Sequence, residues 1–283
     1  MKVDMTDSRF RFFDLEGKTL LLTGATRGLG KAMLPDLLAQ GLNLVVVSRG
    51  LDRMEAIRAE LGVSEDRMKL YDCDLSDAAA VTATGQAILS SGCPLDGILN
   101  NAGIDPREHF GRADDAFWQQ VFQVNLFAAV SLTRTLLPLL GQSPQGRILF
   151  TGSVLFELGG GCLTAYVASK GALVGLTHAL AHELKNTTIT VNCLVPGAVQ
   201  VEKESGTVES QKRLIGFQSV PRRLTPADLS GLACLLLSQA GEGICGQAIT
   251  VDGGIVHPLA SPESQGAKLD PPWPLAEQTA DFC

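Results

Sequence analysis

KTLLLTGATRGLG, residues 18–30, decides how the rest of the chain is read. The apolar run KTLLLT (18–23) is a buried-strand pattern, and an apolar helical pattern then continues to about Gln40. Between them, TGATRGLG (23–30) places Gly24, Gly28 and Gly30 in a GxxxGxG spacing around Thr26, Arg27 and Leu29. Glycines permit a tight turn and close approach of the backbone to a pyrophosphate, and a helix N-terminus favours the anion. A glycine-rich turn without a ligand is the bland reading. Its position after a first strand and before a helix favours dinucleotide binding.

The pattern repeats outward from this turn. NLVVVS (43–48), RMKLYDCD (67–74), LDGILNNAG (95–103), GRILFTGS (146–153), TITVNCLVPG (188–197) and QAITVDGG (247–254) are further strand patterns. Helical segments separate them: one ends near Gly62, an Ala-rich one follows Asp74, and others span about 114–140, 164–185 and 226–238. Uninterrupted apolar strands alternating with helices predict an α/β fold, a Rossmann-type doubly wound parallel sheet of about seven strands in one domain. The predicted strand order is 3-2-1-4-5-6-7. Residues 1–16 read as an N-terminal extension, 17–254 as the catalytic body and 255–283 as a Pro-rich C-terminal arm containing Trp273.

Composition excludes several classes. Of 283 residues, 45% are hydrophobic and 19% charged, which fits a globular chain with a sizeable core rather than a disordered one. Only 5% are aromatic, so the core is expected to be Leu, Val, Ile and Ala. A net charge of −7 and the lack of a basic run argue against nucleic acid. MKVDMTDSRFRFFDL carries acids early and is not read as a signal peptide, and no run of about 18 uncharged apolar residues predicts a membrane span. Seven cysteines without CxxC are expected to be free thiols in a cytoplasmic protein.

The end of the second strand bears on which dinucleotide binds. An NAD site normally carries an acid there. This strand ends in Ser48 and Arg49, and Arg27 lies in the glycine turn. A guanidinium suits a 2′-phosphate, so NADP(H) is expected over NAD(H), the alternative being a solvated loop arginine at position 49.

TGATRGLG, Asp74, NNAG (100–103), Asn125, Ser153, YVASK (166–170), PG (196–197) and VDGG (251–254) together closely resemble the short-chain dehydrogenase/reductase family. The resemblance covers about residues 17–254, and its nearest flavour is that of 3-oxoacyl-carrier-protein reductases and sugar-alcohol dehydrogenases. It implies that Asp74 receives the adenine amino group, with the backbone of Cys73 and Leu75 alongside. It also implies that Asn101, Ala102 and Gly103 pass the adenosine ribose, and that Pro196, Gly197 and Val199 reach the nicotinamide carboxamide. In the family, the residue matching Asn125 holds a water that links the lysine to solvent. A homotetramer or homodimer is implied, as is a lid over about 198–224.

The chemistry has its own argument. Carbonyl reduction needs a hydride donor, a proton donor and a group that polarises the carbonyl. A free phenol titrates near ~10, and a nearby ammonium favours the phenolate. Tyr166 and Lys170, four apart, share a helix face, so Tyr166 is expected as general acid/base with Lys170 depressing its pKa and contacting the nicotinamide ribose. Ser153, thirteen residues before Tyr166, is expected to hold the substrate oxygen. Taken singly, these residues read as a half-buried aromatic with a snorkelling lysine, a turn cap and a structural amide. The set of Asn125, Ser153, Tyr166 and Lys170 behind a dinucleotide turn reverses that reading.

Several features stand outside this set. His178 and His182 are four apart but lack a third ligand, so no metal site is expected. Cys162, in FELGGGCLT, is expected at the rim of the substrate pocket, either touching substrate or merely packing. Val201 stands where relatives often carry a cofactor-contacting Thr. Pro144 and Thr187 stand where carrier-protein reductases carry docking arginines, with Arg147, Arg222 and Arg223 as the alternative docking cations. The substrate is expected to be a small ketone or secondary alcohol. A sugar or polyol, a carrier-bound 3-oxoacyl group, and a non-catalytic cofactor-binding role are the alternatives.

Overall fold

The computed structural model describes residues 11–201, 212 and 215–256. Seven strands form one parallel sheet in the order β3-β2-β1-β4-β5-β6-β7, as the sequence predicts. They are β1 (Thr19–Thr23), β2 (Asn43–Ser48), β3 (Met68–Asp72), β4 (Gly97–Asn100), β5 (Arg147–Thr151), β6 (Thr190–Pro196) and β7 (Gln247–Val251). The crossovers carry α1 (Gly28–Ala39), α2 (Leu51–Leu61), α3 (Ala78–Ser90), α4 (Asp115–Phe122), α5 (Ala128–Leu140), α6 (Leu155–Leu158), α7 (Thr164–Glu183) and α8 (Ala227–Leu237).

The strands are apolar throughout because both faces are covered. Successive side chains alternate between two cores. Leu21, Val45, Ile98, Ile148 and Phe150 meet α3, α5 and α7, while Leu20, Leu22, Leu44, Leu99 and Leu149 meet α1, α2 and α8. Leu21 and Leu22 are both 0% exposed, so truncating either to alanine costs about 2–5 kcal/mol.

The run Asp115–Leu140 is long and apolar enough by composition to cross a bilayer, a closer approach to that measure than the sequence reading allowed. Here it is a core helix: Leu132, Leu136 and Leu140 are buried against the sheet and α3. Residues 11–16 also join the body, with Leu15 1% exposed and Asp14 accepting from Gln145 Nε2 and Gln239 N.

The chain leaves β1 toward β2 and β3 on one side, and β4 begins on the other. That reversal opens a crevice at the carboxyl ends of β1 and β4, the position where open parallel sheets bind ligands.

Candidate active site

A cavity of about 650 Å³ occupies this crevice. Its first wall is the glycine turn. Gly24 has φ +74°, and a Cβ there would lie 2.8 Å from Ala102 Cα. A Cβ at Gly30 would collide with the Gly24 carbonyl and with Asn101 Nδ2. Thr23 Oγ1 accepts from the N–H of Asn101 and of Ala102, both at 3.0 Å, and Asn101 Nδ2 donates to Thr23 O at 3.1 Å. The NNAG loop is thereby strapped to the turn. Helix α1 begins at Gly28 with no side-chain cap from Arg27, so its first N–H groups face the crevice unclaimed by a cap. Such a cradle fits a pyrophosphate.

The adenosine end is set by β2 and β3. Ser48 is 3% exposed, and its Oγ accepts from Ala25 N at 2.8 Å, so this hydroxyl also holds the turn in shape. Arg49 and Arg27 are both exposed and line the cavity. Arg49 lies 3.5 Å from Asp74, an open surface pair, whereas Arg27 makes no ion pair among the described residues. Asp74 accepts from the Ser76 N–H at 2.9 Å and from its hydroxyl at 2.7 Å, and these bonds, ahead of Arg49, hold its carboxyl below the usual range. The acid missing from the end of β2 is not replaced by Asp72, which accepts from Gly50 N at 2.9 Å.

The far end of the cavity carries the ionisable pair. Helix α7 supplies Tyr166 and Lys170, four residues apart, with Lys170 Nζ 5.8 Å from the Tyr166 ring centroid. Lys170 is 3% exposed and donates to Thr151 O at 2.6 Å. Burial lowers its pKa to about 8, with Cys193 and Asp105 acting weakly in the other direction. Burial likewise raises the Tyr166 phenol above its ordinary 10.0, while a hydrogen bond with Ser153 pulls it down. In the protein alone, desolvation of the phenolate outweighs the Ser153 hydrogen bond, so the phenol stands above its ordinary value and not below it.

Asn125 reaches this end by an irregularity. Residues Gln123–Phe127 form a π turn between α4 and α5. Asn125 is 1% exposed; its Oδ1 accepts from Ile104 N at 2.8 Å, and its Nδ2 donates to Ile104 O at 2.9 Å and Ser169 Oγ at 3.0 Å. Ser169 in turn donates to Tyr166 O at 2.7 Å. A Cβ at Gly103 would lie 3.3 Å from Lys170 Nζ and 3.4 Å from Asn125 Oδ1, so a larger residue there would crowd these two groups.

The cavity wall thus includes Gly24, Thr26, Arg27, Gly28, Leu29, Ser48, Arg49, Cys73, Asp74, Leu75, Asn101, Ala102, Gly103, Tyr166, Lys170, Pro196, Gly197 and Val199. Gly30, Asn125 and Ser153 stand just behind it. Sequence reasoning missed Asp105, Gln120, Val124 and Thr151, which also line the wall. Asp105 stands two residues beyond NNAG, but only the fold reveals its influence on Tyr166 and Lys170. Val201 is on the wall as well, without the hydroxyl that a threonine would offer.

Cys162 departs from expectation. It is disulfide-bonded, while Cys73, Cys93, Cys193, Cys234 and Cys245 are free. It has φ +57° and its Sγ lies 3.8 Å from His109 Nδ1. His178 and His182 are exposed, and no group of three metal-ligating side chains assembles among the described residues. Residues 202–211 and 213–214 of the expected lid, and the arm from 257, lie outside the described residues.

Comparison with known proteins gives the same picture. Residues 18–212 match the family model described as short chain dehydrogenase. Nodulation protein G of Rhizobium sp. (strain N33) is 35% identical over 244 residues, covering 86% of this chain and 98% of the relative. The 2-dehydro-3-deoxy-D-gluconate 5-dehydrogenase of Pseudoalteromonas atlantica is 32% identical over 246 residues, covering 86% and 97%. Among solved structures, the 3-ketoacyl-(acyl-carrier-protein) reductase from Brucella melitensis complexed with NADH superposes with a TM-score of 0.75 at 30% identity, covering 86% of this chain and 99% of that one. With the parallel sheet, the glycine cradle and the match over most of its body, the chain belongs to the short-chain dehydrogenase/reductase family, whose members are NAD(P)(H)-dependent oxidoreductases.

Proposed function

We propose that the protein moves hydride between NADP(H) and a small ketone or secondary alcohol, with Tyr166 transferring the proton. The observation that carries this reading is the group formed by half-buried Tyr166 with buried Ser153 and Lys170 at the inner end of the glycine-cradled cavity. Gly24, Gly28 and the N-terminus of α1 fit the pyrophosphate, and Asp74 the adenine. Arg27 and Arg49 fit a 2′-phosphate, and Pro196, Gly197 and Val199 the carboxamide end. When bound, the cofactor supplies or accepts the hydride.

The protein's own groups handle the proton. Ser153 donates to the substrate oxygen and keeps it beside the phenol. In the reducing direction Tyr166 gives its proton to the nascent alkoxide. Lys170, protonated at neutral pH with a pKa of about 8, stabilises the phenolate left behind. Asn125 ties the Ile104 backbone to α7 through Ser169 and so fixes where Tyr166 and Lys170 sit. Ser153 and Lys170 are shielded from bulk water, and Tyr166 is half-buried.

A sugar or polyol substrate is the second reading, and Asp105 favours it. Its carboxylate lies close enough to Tyr166 and Lys170 to act on both ionisations, and a carboxylate there accepts from substrate hydroxyls. A carrier-bound substrate has less support, because Pro144 and Thr187 are uncharged where docking arginines are expected and the chain is acidic.

Cofactor choice tests the first half of the proposal. Replacing Arg49 by Ala is expected to raise KM for NADPH about tenfold, the scale of losing a charge-assisted hydrogen bond at an exposed site, and to leave KM for NADH unchanged. Equal effects on both cofactors would contradict the assignment of Arg49 to the 2′-phosphate.

A further inference from the structure

The opposite end of the sheet holds a second cavity, of about 440 Å³. It lies at the amino ends of β5 and β6, while Thr151 and the catalytic pair lie at the carboxyl end of β5. The strand's five residues, Arg147–Thr151, separate the two by about 13 Å.

Arg147 opens β5 and Thr190 opens β6, and the two are direct register partners. Both line the cavity and both are more than nine-tenths buried, at 3% and 8% exposure. Each carries an orphan: Arg147 Nε and Thr190 Oγ1 have no hydrogen-bond partner. The remaining guanidinium bonds go to carbonyls. Nη1 donates to Gly146 O at 3.0 Å and Thr188 O at 3.4 Å, and Nη2 to Ser238 O at 3.3 Å. That leaves the Nε–H and one Nη2–H without an acceptor, two donors for the oxygens of an oxyanion.

No carboxylate pairs with this cation among the described residues. Asp14 acts on it at longer range and is itself engaged by Gln145 Nε2 at 3.1 Å and Gln239 N at 2.6 Å. Glu242 lines the cavity but is exposed and forms no ion pair. Burial lowers the Arg147 pKa, and Glu242 and Asp14, which form no ion pair with it, offset only part of that cost. An anion placed here gains the charge, the two donors and the hydroxyl together.

We propose that this cavity is a binding site for a small phosphate monoester, held by the Nε–H and Nη2–H of Arg147 and by Thr190 Oγ1, on the face of the sheet edge opposite the active site. The cavity is roomier than a bare phosphate, so the ester's organic part has space beside Thr188 and Gln239. The site is independent of the hydride-transfer reading.

Titration calorimetry at constant ionic strength tests this, with the full chain and with glycerol 3-phosphate and inorganic phosphate as probes. The ester is expected to bind one site at least as tightly as inorganic phosphate, and to keep that affinity in Arg49→Ala, which weakens any phosphate site in the first cavity. Thr190→Val should weaken binding about tenfold through loss of a hydroxyl to a charged acceptor. Glu242→Gln, an exposed change that leaves the fold alone, should tighten it about threefold by removing a like charge. Binding that disappears in Arg49→Ala, or that is equal in wild type, Thr190→Val and Glu242→Gln, overturns the proposal. So does inorganic phosphate binding with no binding of the ester.

Discussion

Lys170 illustrates how a functional residue costs stability. Its pKa is held at about 8 rather than its ordinary 10.5 because an ammonium is buried with one carbonyl partner. That corresponds to a penalty on the order of 3 kcal/mol at pH 7. The unfolded chain binds more protons than the folded one between those two values, so wild-type stability rises with pH across that window and is lowest, from this group, below about 8. Lys170→Met is therefore expected to melt a few degrees higher than wild type at pH 7, with the difference shrinking toward pH 10, while turnover collapses. A variant that melts lower than wild type at pH 7 would show that the lysine is a net structural support.

At the scale of elements, the glycine turn carries the clearest contrast. Gly30→Ala drives a methyl into the Gly24 carbonyl and Asn101, so it is expected to cost about 1–3 kcal/mol of stability and to weaken cofactor binding as the NNAG strap shifts. Gly28→Ala meets nothing within 4 Å and suffers only from its φ of +59°, so its loss should stay near about 1 kcal/mol. Thermal melts of the two variants, with and without cofactor, check this order. These elements were legible because their physics is local. Apolar runs covered on two faces read as strands, and a glycine at a left-handed or crowded position has few substitutes. The π turn at Gln123–Phe127 left no trace in the sequence, since a one-residue change of hydrogen-bond step has no compositional signature. Asp105, the direction of the Tyr166 shift and the Cys162 disulfide are equally products of tertiary proximity and burial.

At the scale of the whole molecule, one surface of the described residues gathers exposed aromatic rings. Phe110 is 71% exposed and Phe127 50%, and they are linked through Trp118 and Phe122 by ring contacts of 6.4, 6.0 and 6.2 Å. Exposed aromatic clusters of this kind mark association surfaces. The expected homo-oligomer is proposed to use this face of α4 and the π turn. Phe127→Glu should lower the mass measured by light scattering at micromolar concentration without unfolding the chain. An unchanged mass would place association elsewhere or exclude this face.

The central claim, that Tyr166 transfers the proton, is tested most directly by Tyr166→Phe assayed for reduction of a ketone panel and for NADPH affinity. The replacement removes only the phenol oxygen from a half-buried ring, so the fold and the cofactor Kd should hold. Turnover should drop by roughly 10³-fold, within the range for losing a general acid. Turnover within a few-fold of wild type, on any ketone the wild-type protein reduces, would contradict the account.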